Sequence, residues 1–81
     1  MTKRDKLIKR FRDNDRNVRF EEIDGLLERL GFDKKCSGSH NVYRMQGVPN
    51  IIIPFRKPFI LPVYVRNVLE LIDEYLGEEQ D

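Results

Sequence analysis

The chain has no tryptophan, one cysteine, one histidine and two methionines among its 81 residues. A single thiol, Cys36, rules out an internal disulfide framework, and together with His40 it falls short of a zinc ligand set unless carboxylates join them. The middle of the chain offers almost none: Asp33 is its only acid between residues 32 and 66. Long apolar runs are also missing. Ile51 to Ile53 and Phe59 to Val65 are bounded or interrupted by proline and are far too short to cross a bilayer. No apolar stretch or small-residue cleavage site marks the opening residues, so the expected location is the cytoplasm. There is no phosphate-binding Gly-x-x-x-x-Gly-Lys loop, no Gly-x-Gly-x-x-Gly, no Cys-x-x-Cys and no His-Glu-x-x-His. Neither a metal nor a nucleotide cofactor is expected.

What is present is charge, and it is segregated. The net charge is only +1, yet residues 1–19 carry +5, 20–31 carry −3, 32–66 carry +5 and 67–81 carry −6. The central basic block consists of Lys34, Lys35, Arg44, Arg56, Lys57 and Arg66. Such a block suggests a polyanionic partner, although solvated surface residues alone would give the same pattern. With 81 residues, the chain makes one small domain in which an active site has to be shallow.

Periodicity places the elements. Leu7, Ile8 and Phe11 have helical spacing within a basic segment from Lys3 to Arg12, and Asp13-Asn14-Asp15 breaks it. Phe20, Ile23, Leu26, Leu27 and Leu30 lie on one face of a second helix, with acids in its first turn and Gly31 at its C′ position. Extended segments follow at Phe32 to Cys36, His40 to Met45 and Asn50 to Pro54, the last centred on three isoleucines. Ser37-Gly38-Ser39 turns the first into the second. In His40 to Met45 neither alternate face is purely apolar, so the core-facing side is undetermined. Phe55 to Leu61 reads as irregular. Pro62 then opens a final helix with Val65, Val68, Leu69, Ile72 and Leu76 as its stripe, Gly77 as its stop and a disordered acidic tail over 78–81. The expected fold is α+β: a three-stranded antiparallel sheet covered by two helices, as a two-layer sandwich, with a basic helical arm over 1–16 before a domain at 17–77.

His40 is the candidate catalyst, because histidine both takes and gives protons near neutral pH. Ser39 cannot be its nucleophilic partner, since adjacent strand residues point to opposite faces. RNA suits an isolated imidazole: a general base that removes the ribose 2′-hydroxyl proton lets that oxygen attack the neighbouring phosphorus without a metal. Lys34, Lys35, Arg44, Arg56 and Lys57 are candidates for holding phosphates, and Gly38 and Ser39 for close backbone approach. A histidine at a strand start is also commonly structural. Tyr43 reads as a packing residue, Cys36 as a small buried apolar group, and Tyr64 as either core rim or a base-stacking surface.

The segments Asn17-Val18-Arg19-Phe20, Leu26-Leu27-Glu28-Arg29-Leu30-Gly31-Phe32, Gly38-Ser39-His40-Asn41-Val42-Tyr43-Arg44, Ile53-Pro54 and Pro62-Val63-Tyr64-Val65-Arg66-Asn67-Val68-Leu69 resemble, in order and spacing, the HicA toxin family. The resemblance runs from Asn17 to Tyr75, about three-quarters of the chain. It implies a fold similar to the double-stranded-RNA-binding domain, an mRNA-cleaving endoribonuclease activity with His40 as the catalytic residue, and the toxin role in a toxin–antitoxin pair. The implied partners are mRNA and a HicB-like antitoxin protein that covers the histidine and the RNA-binding surface. The chain departs from many compact family members in reading Ile53-Pro54-Phe55-Arg56 where they carry a second histidine. Arginine neutralises phosphate but cannot act as a general acid, so a non-catalytic RNA-binding or antitoxin-binding module of the same fold is the alternative.

Overall fold

A computed structural model describes residues 3–76. Three α-helices, α1 (Lys3–Asp13), α2 (Phe20–Leu30) and α3 (Pro62–Leu71), accompany three strands, β1 (Asp33–Ser37), β2 (His40–Met45) and β3 (Val48–Pro54). A π-helical turn, Ile72–Leu76, extends α3. The strands form one antiparallel sheet in the order β1-β2-β3, and the architecture is α+β. Gly77 and the tail at 78–81 lie outside the described residues.

Each helix follows from its local chemistry. In α2 the apolar stripe buries Ile23, Leu26 and Leu27, and the Glu22 carboxylate accepts the Arg19 N–H at 2.9 Å, satisfying the chain at the helix entrance. Gly31 takes a φ of 103°, which a side chain would strain, and closes the helix: its N–H donates to Glu28 O at 3.0 Å, and the Phe32 N–H donates to Leu27 O at 3.1 Å. Phe32 is buried as the apolar contact that accompanies this stop. Pro62 starts α3, where the missing N–H costs nothing.

The first helix is part of the core. Phe11 is fully buried together with Val18, Ile23, Leu26, Leu27, Val65 and Val68. α1 packs against α2 and α3, and charge fastens its rim: Arg12 forms a two-pronged pair with Asp73, Arg10 pairs with Glu22, and Asp15 beyond the helix pairs with Arg66. Residues read from sequence as a basic arm therefore cap the core, and part of their charge is spent within the fold.

The sheet resolves the face left open by alternation. Asn41, Tyr43, Ile51 and Ile53 are buried beneath the helices, whereas His40, Arg44, Asn50 and Ile52 on the other face are exposed. A polar contact accompanies this burial. The Tyr43 hydroxyl, on a side chain that is otherwise fully buried, donates to the α2 carboxylate of Asp24 at 2.6 Å. Lys34, the cross-strand partner of Tyr43, reaches the same carboxylate oxygen at 2.9 Å and lies 5.3 Å from the Phe20 ring centre. Asp24 thus ties α2 to both β1 and β2.

This cluster has an alkaline signature. Burial, reinforced by the hydrogen bond to Asp24, pushes the Tyr43 phenol well above its ordinary value of 10.0, and the Asp24 carboxylate holds the Lys34 ammonium above its ordinary 10.5. Both shifts are upward, so the folded state keeps these protons longer than the unfolded chain. The stability they contribute is present at neutral pH and is lost as pH climbs from about 10 through the raised folded values. Tyr43→Phe should cost about 1–2 kcal/mol at neutral pH, and its melting temperature should fall less steeply than the wild type's above about pH 10. Calorimetric melting across that range checks both.

Candidate nucleic-acid interface

The turn between β1 and β2 contains only Gly38 and Ser39. Gly38 has a φ of 62° while Ser39 stays at negative φ, the glycine-first geometry of a tight hairpin. This turn sets the register Ser37↔His40, and β3 then adds Pro54 opposite His40. His40 is exposed in the middle of that row. One row further along, about 7 Å away, run Lys35, Val42 and Ile52, and beyond them Arg44 stands opposite Asp33. The open face therefore carries His40, Lys35 and Arg44 around two aliphatic side chains, with no helix over it among the described residues.

Among the described residues, the side chains of His40, Lys35 and Arg44 have no hydrogen-bond or ion-pair partner. His40 is exposed, and the neighbouring side chains in its row, Ser37 and Pro54, carry no charge.

The loop after β3 is held to the same end of the sheet. Phe55 donates its N–H to Ser39 O at 2.8 Å, continuing the β2–β3 ladder by one more pair, and Ile60 donates to Val18 O at 2.9 Å. These two bonds bring Arg56 and Lys57 beside Arg19 at the start of α2, around a shallow cavity of about 360 Å³ that Phe20 and Phe55 also line. Arg56 donates to Phe59 O at 3.2 Å, Lys57 lies 5.8 Å from the Phe55 ring centre, and Phe20 and Phe55 meet edge to face at 5.2 Å. Arg19 was not among the residues singled out from sequence. It arrives through the Val18–Ile60 contact between segments far apart in the chain, and no local pattern announces such a contact.

Two expectations need correction. Lys34 does not join the basic face. Its odd-even position in β1 turns it to the inner side, where Asp24 neutralises it. Cys36 is exposed rather than buried, because β1 is an edge strand and the helices do not cover its far end; its thiol donates to Asn41 Oδ1 at 3.0 Å. Asn41, buried on the inner face, in turn donates to Ile53 O at 3.2 Å. Tyr43 is a packing residue, and Tyr64 is half-buried at the rim between α3 and β3.

Among the described residues there is no group of three or more His, Cys, Asp or Glu side chains placed to hold a metal, and no helix is long and apolar enough to cross a membrane. No family model, curated protein or solved structure matches this chain.

Proposed function

We propose that this protein is a metal-independent endoribonuclease of the HicA type, the toxin of a toxin–antitoxin pair, acting on mRNA in the cytoplasm. The observation that carries the reading is the exposed imidazole of His40, without a polar partner among the described residues, on an open sheet face that also carries Lys35 one row away and Arg44 two rows away. A ribose laid across that face exposes its 2′-hydroxyl to His40. Removal of that proton drives attack of O2′ on the adjacent phosphorus, and the P–O5′ bond breaks to leave a 2′,3′-cyclic phosphate and a 5′-hydroxyl. Lys35, one row from His40, neutralises the charge that grows on the phosphoryl oxygens, Arg44 holds a flanking phosphate, and Arg56 and Lys57 hold the strand at the hairpin end. The leaving oxygen takes its proton from His40 itself, from Lys35 or from water, since the Tyr43 hydroxyl is buried on the opposite face. Gly38 and Ser39 form a narrow hairpin tip where a strand can approach the backbone. A HicB-like antitoxin would inhibit by covering this face.

The alternative is a binding module without turnover, favoured by the Ile53-Pro54-Phe55-Arg56 segment, which lacks the second histidine that many members of the resembled family carry there. Incubating purified mRNA with the protein and a chelator decides between them. Cleavage with cyclic-phosphate ends supports the nuclease, and binding without cleavage supports the module.

Salt dependence tests the basic face in either case. Four cations on phosphates of a single strand predict that log affinity falls against log salt with a slope of about −3. Replacing Lys35, Arg44, Arg56 or Lys57 by alanine should each reduce that slope by about 0.7, whereas Lys34→Ala should leave it unchanged and lower stability instead. Filter binding at a series of salt concentrations reads both.

A further inference from the structure

The two edges of the sheet are built differently. β1 carries Asp33, Lys34 and Lys35, and charged side chains along an edge discourage pairing with another strand. β3 has no charged residue at all: it reads Val-Pro-Asn-Ile-Ile-Ile-Pro, with Pro49 and Pro54 framing four residues rich in β-branched side chains. The Phe55 N–H to Ser39 O bond sets the alternation of the ladder, so Ile51 and Ile53 direct their backbone groups to β2 while Asn50 and Ile52 direct theirs outward. Beside this open stretch lies a groove of about 310 Å³ between β3 and α3, lined by Ile52, Tyr64, Asn67, Leu71, Glu70 and Glu74. Glu70 and Glu74 are exposed and form no ion pair among the described residues, and Ile52 is 52 % exposed.

We propose that the open edge of β3 is a docking site for an extended, basic segment of a partner protein, which joins the sheet as a fourth strand beneath the acidic side of α3. Main-chain bonds to Asn50 and Ile52 supply the pairing. Apolar residues at alternate positions of the incoming strand cover Ile52 on the open face, while its lysines or arginines, on the helix side, face Glu70 and Glu74. Charge complementarity selects this occupant. An RNA strand is repelled by those carboxylates, and a second copy pairing β3 to β3 would bring two such acidic rims together. The site lies on the edge opposite β1 and does not use His40, so it stands independently of the nuclease reading.

The probe is a seven-residue, end-blocked peptide alternating lysine and valine, compared with one alternating glutamate and valine. The lysine peptide should bind the wild-type protein at least about tenfold more tightly, with hydrogen exchange slowed at the Ile52 amide. Charge reversal at two exposed positions, Glu70→Lys with Glu74→Lys, should invert the preference without unfolding the protein. A lysine peptide N-methylated at alternate positions should lose binding while keeping its charge. Equal binding of the two parent peptides, no saturable binding at about millimolar concentration, or unchanged exchange at Ile52 overturns the proposal. Protection of Ile52 in the free protein together with a dimeric mass also overturns it, by assigning the edge to a second copy.

Discussion

Replacing His40 by alanine should slow RNA cleavage by about a hundredfold to ten-thousandfold, the range that a general base contributes. The expectation is specific because the imidazole makes no hydrogen bond or ion pair among the described residues. It is exposed and has no hydrogen-bond partner among the described residues, so its removal leaves no buried group unsatisfied and opens no cavity. Melting temperature should therefore move little, and RNA affinity should survive, since Lys35, Arg44, Arg56 and Lys57 remain. A loss of turnover with retained binding isolates proton transfer from substrate grip. Gel analysis of a defined RNA, with affinity measured on a substrate whose 2′-hydroxyl is replaced by hydrogen, separates the two quantities. Cleavage by His40→Ala at the wild-type rate would remove the imidazole from the reaction.

The largest stability effect should come from a residue far from that face. Phe11→Ala should destabilise the protein by about 3–5 kcal/mol, because the ring is fully buried where α1 meets α2 and α3. Small domains have only about 5–15 kcal/mol in total, so much of the margin would go. Denaturant unfolding followed by circular dichroism measures it. A loss below about 1 kcal/mol would mean that α1 lies loosely on a core formed without it. Arg12→Ala tests the rim of the same helix and should cost far less, since its pair with Asp73 is solvent-exposed.

The two substitutions fall on opposite sides of the sheet, one in the helix-covered scaffold and the other on the exposed face that carries His40. Asp24 marks the boundary. By binding Tyr43 and Lys34 it commits one set of alternating residues to the helices, and it thereby commits His40, Lys35 and Arg44 to solvent. The candidate site is a consequence of how the opposite face is held.

Much of this was legible in the residues. The stripe from Phe20 to Leu30 and the stop at Gly31 specify α2, since each depends on neighbours within one or two turns. Three isoleucines framed by prolines mark β3, and His40 to Met45 matches β2 to the residue. Other features were not legible for identifiable reasons. Lys34 and Lys35 are equal as letters, but alternation sends one to Asp24 and the other to the open face, and that assignment needs the register with β2. Arg19 meets Arg56 and Lys57 around the cavity, which Glu21 also lines, only through a bond between Val18 and Ile60. Cys36 has the composition of a core residue and the position of an edge residue.

The sequence by itself determined the order and kind of the elements, because helix and strand periods, caps and turns are set by residues a few positions apart. Only the tertiary structure decided which face of β2 is core, where α1 goes and which cations share a surface. Those outcomes depend on contacts such as Asp24 with Tyr43, between segments 19 residues apart, and a pattern with no purely apolar face is compatible with either side until such a contact forms.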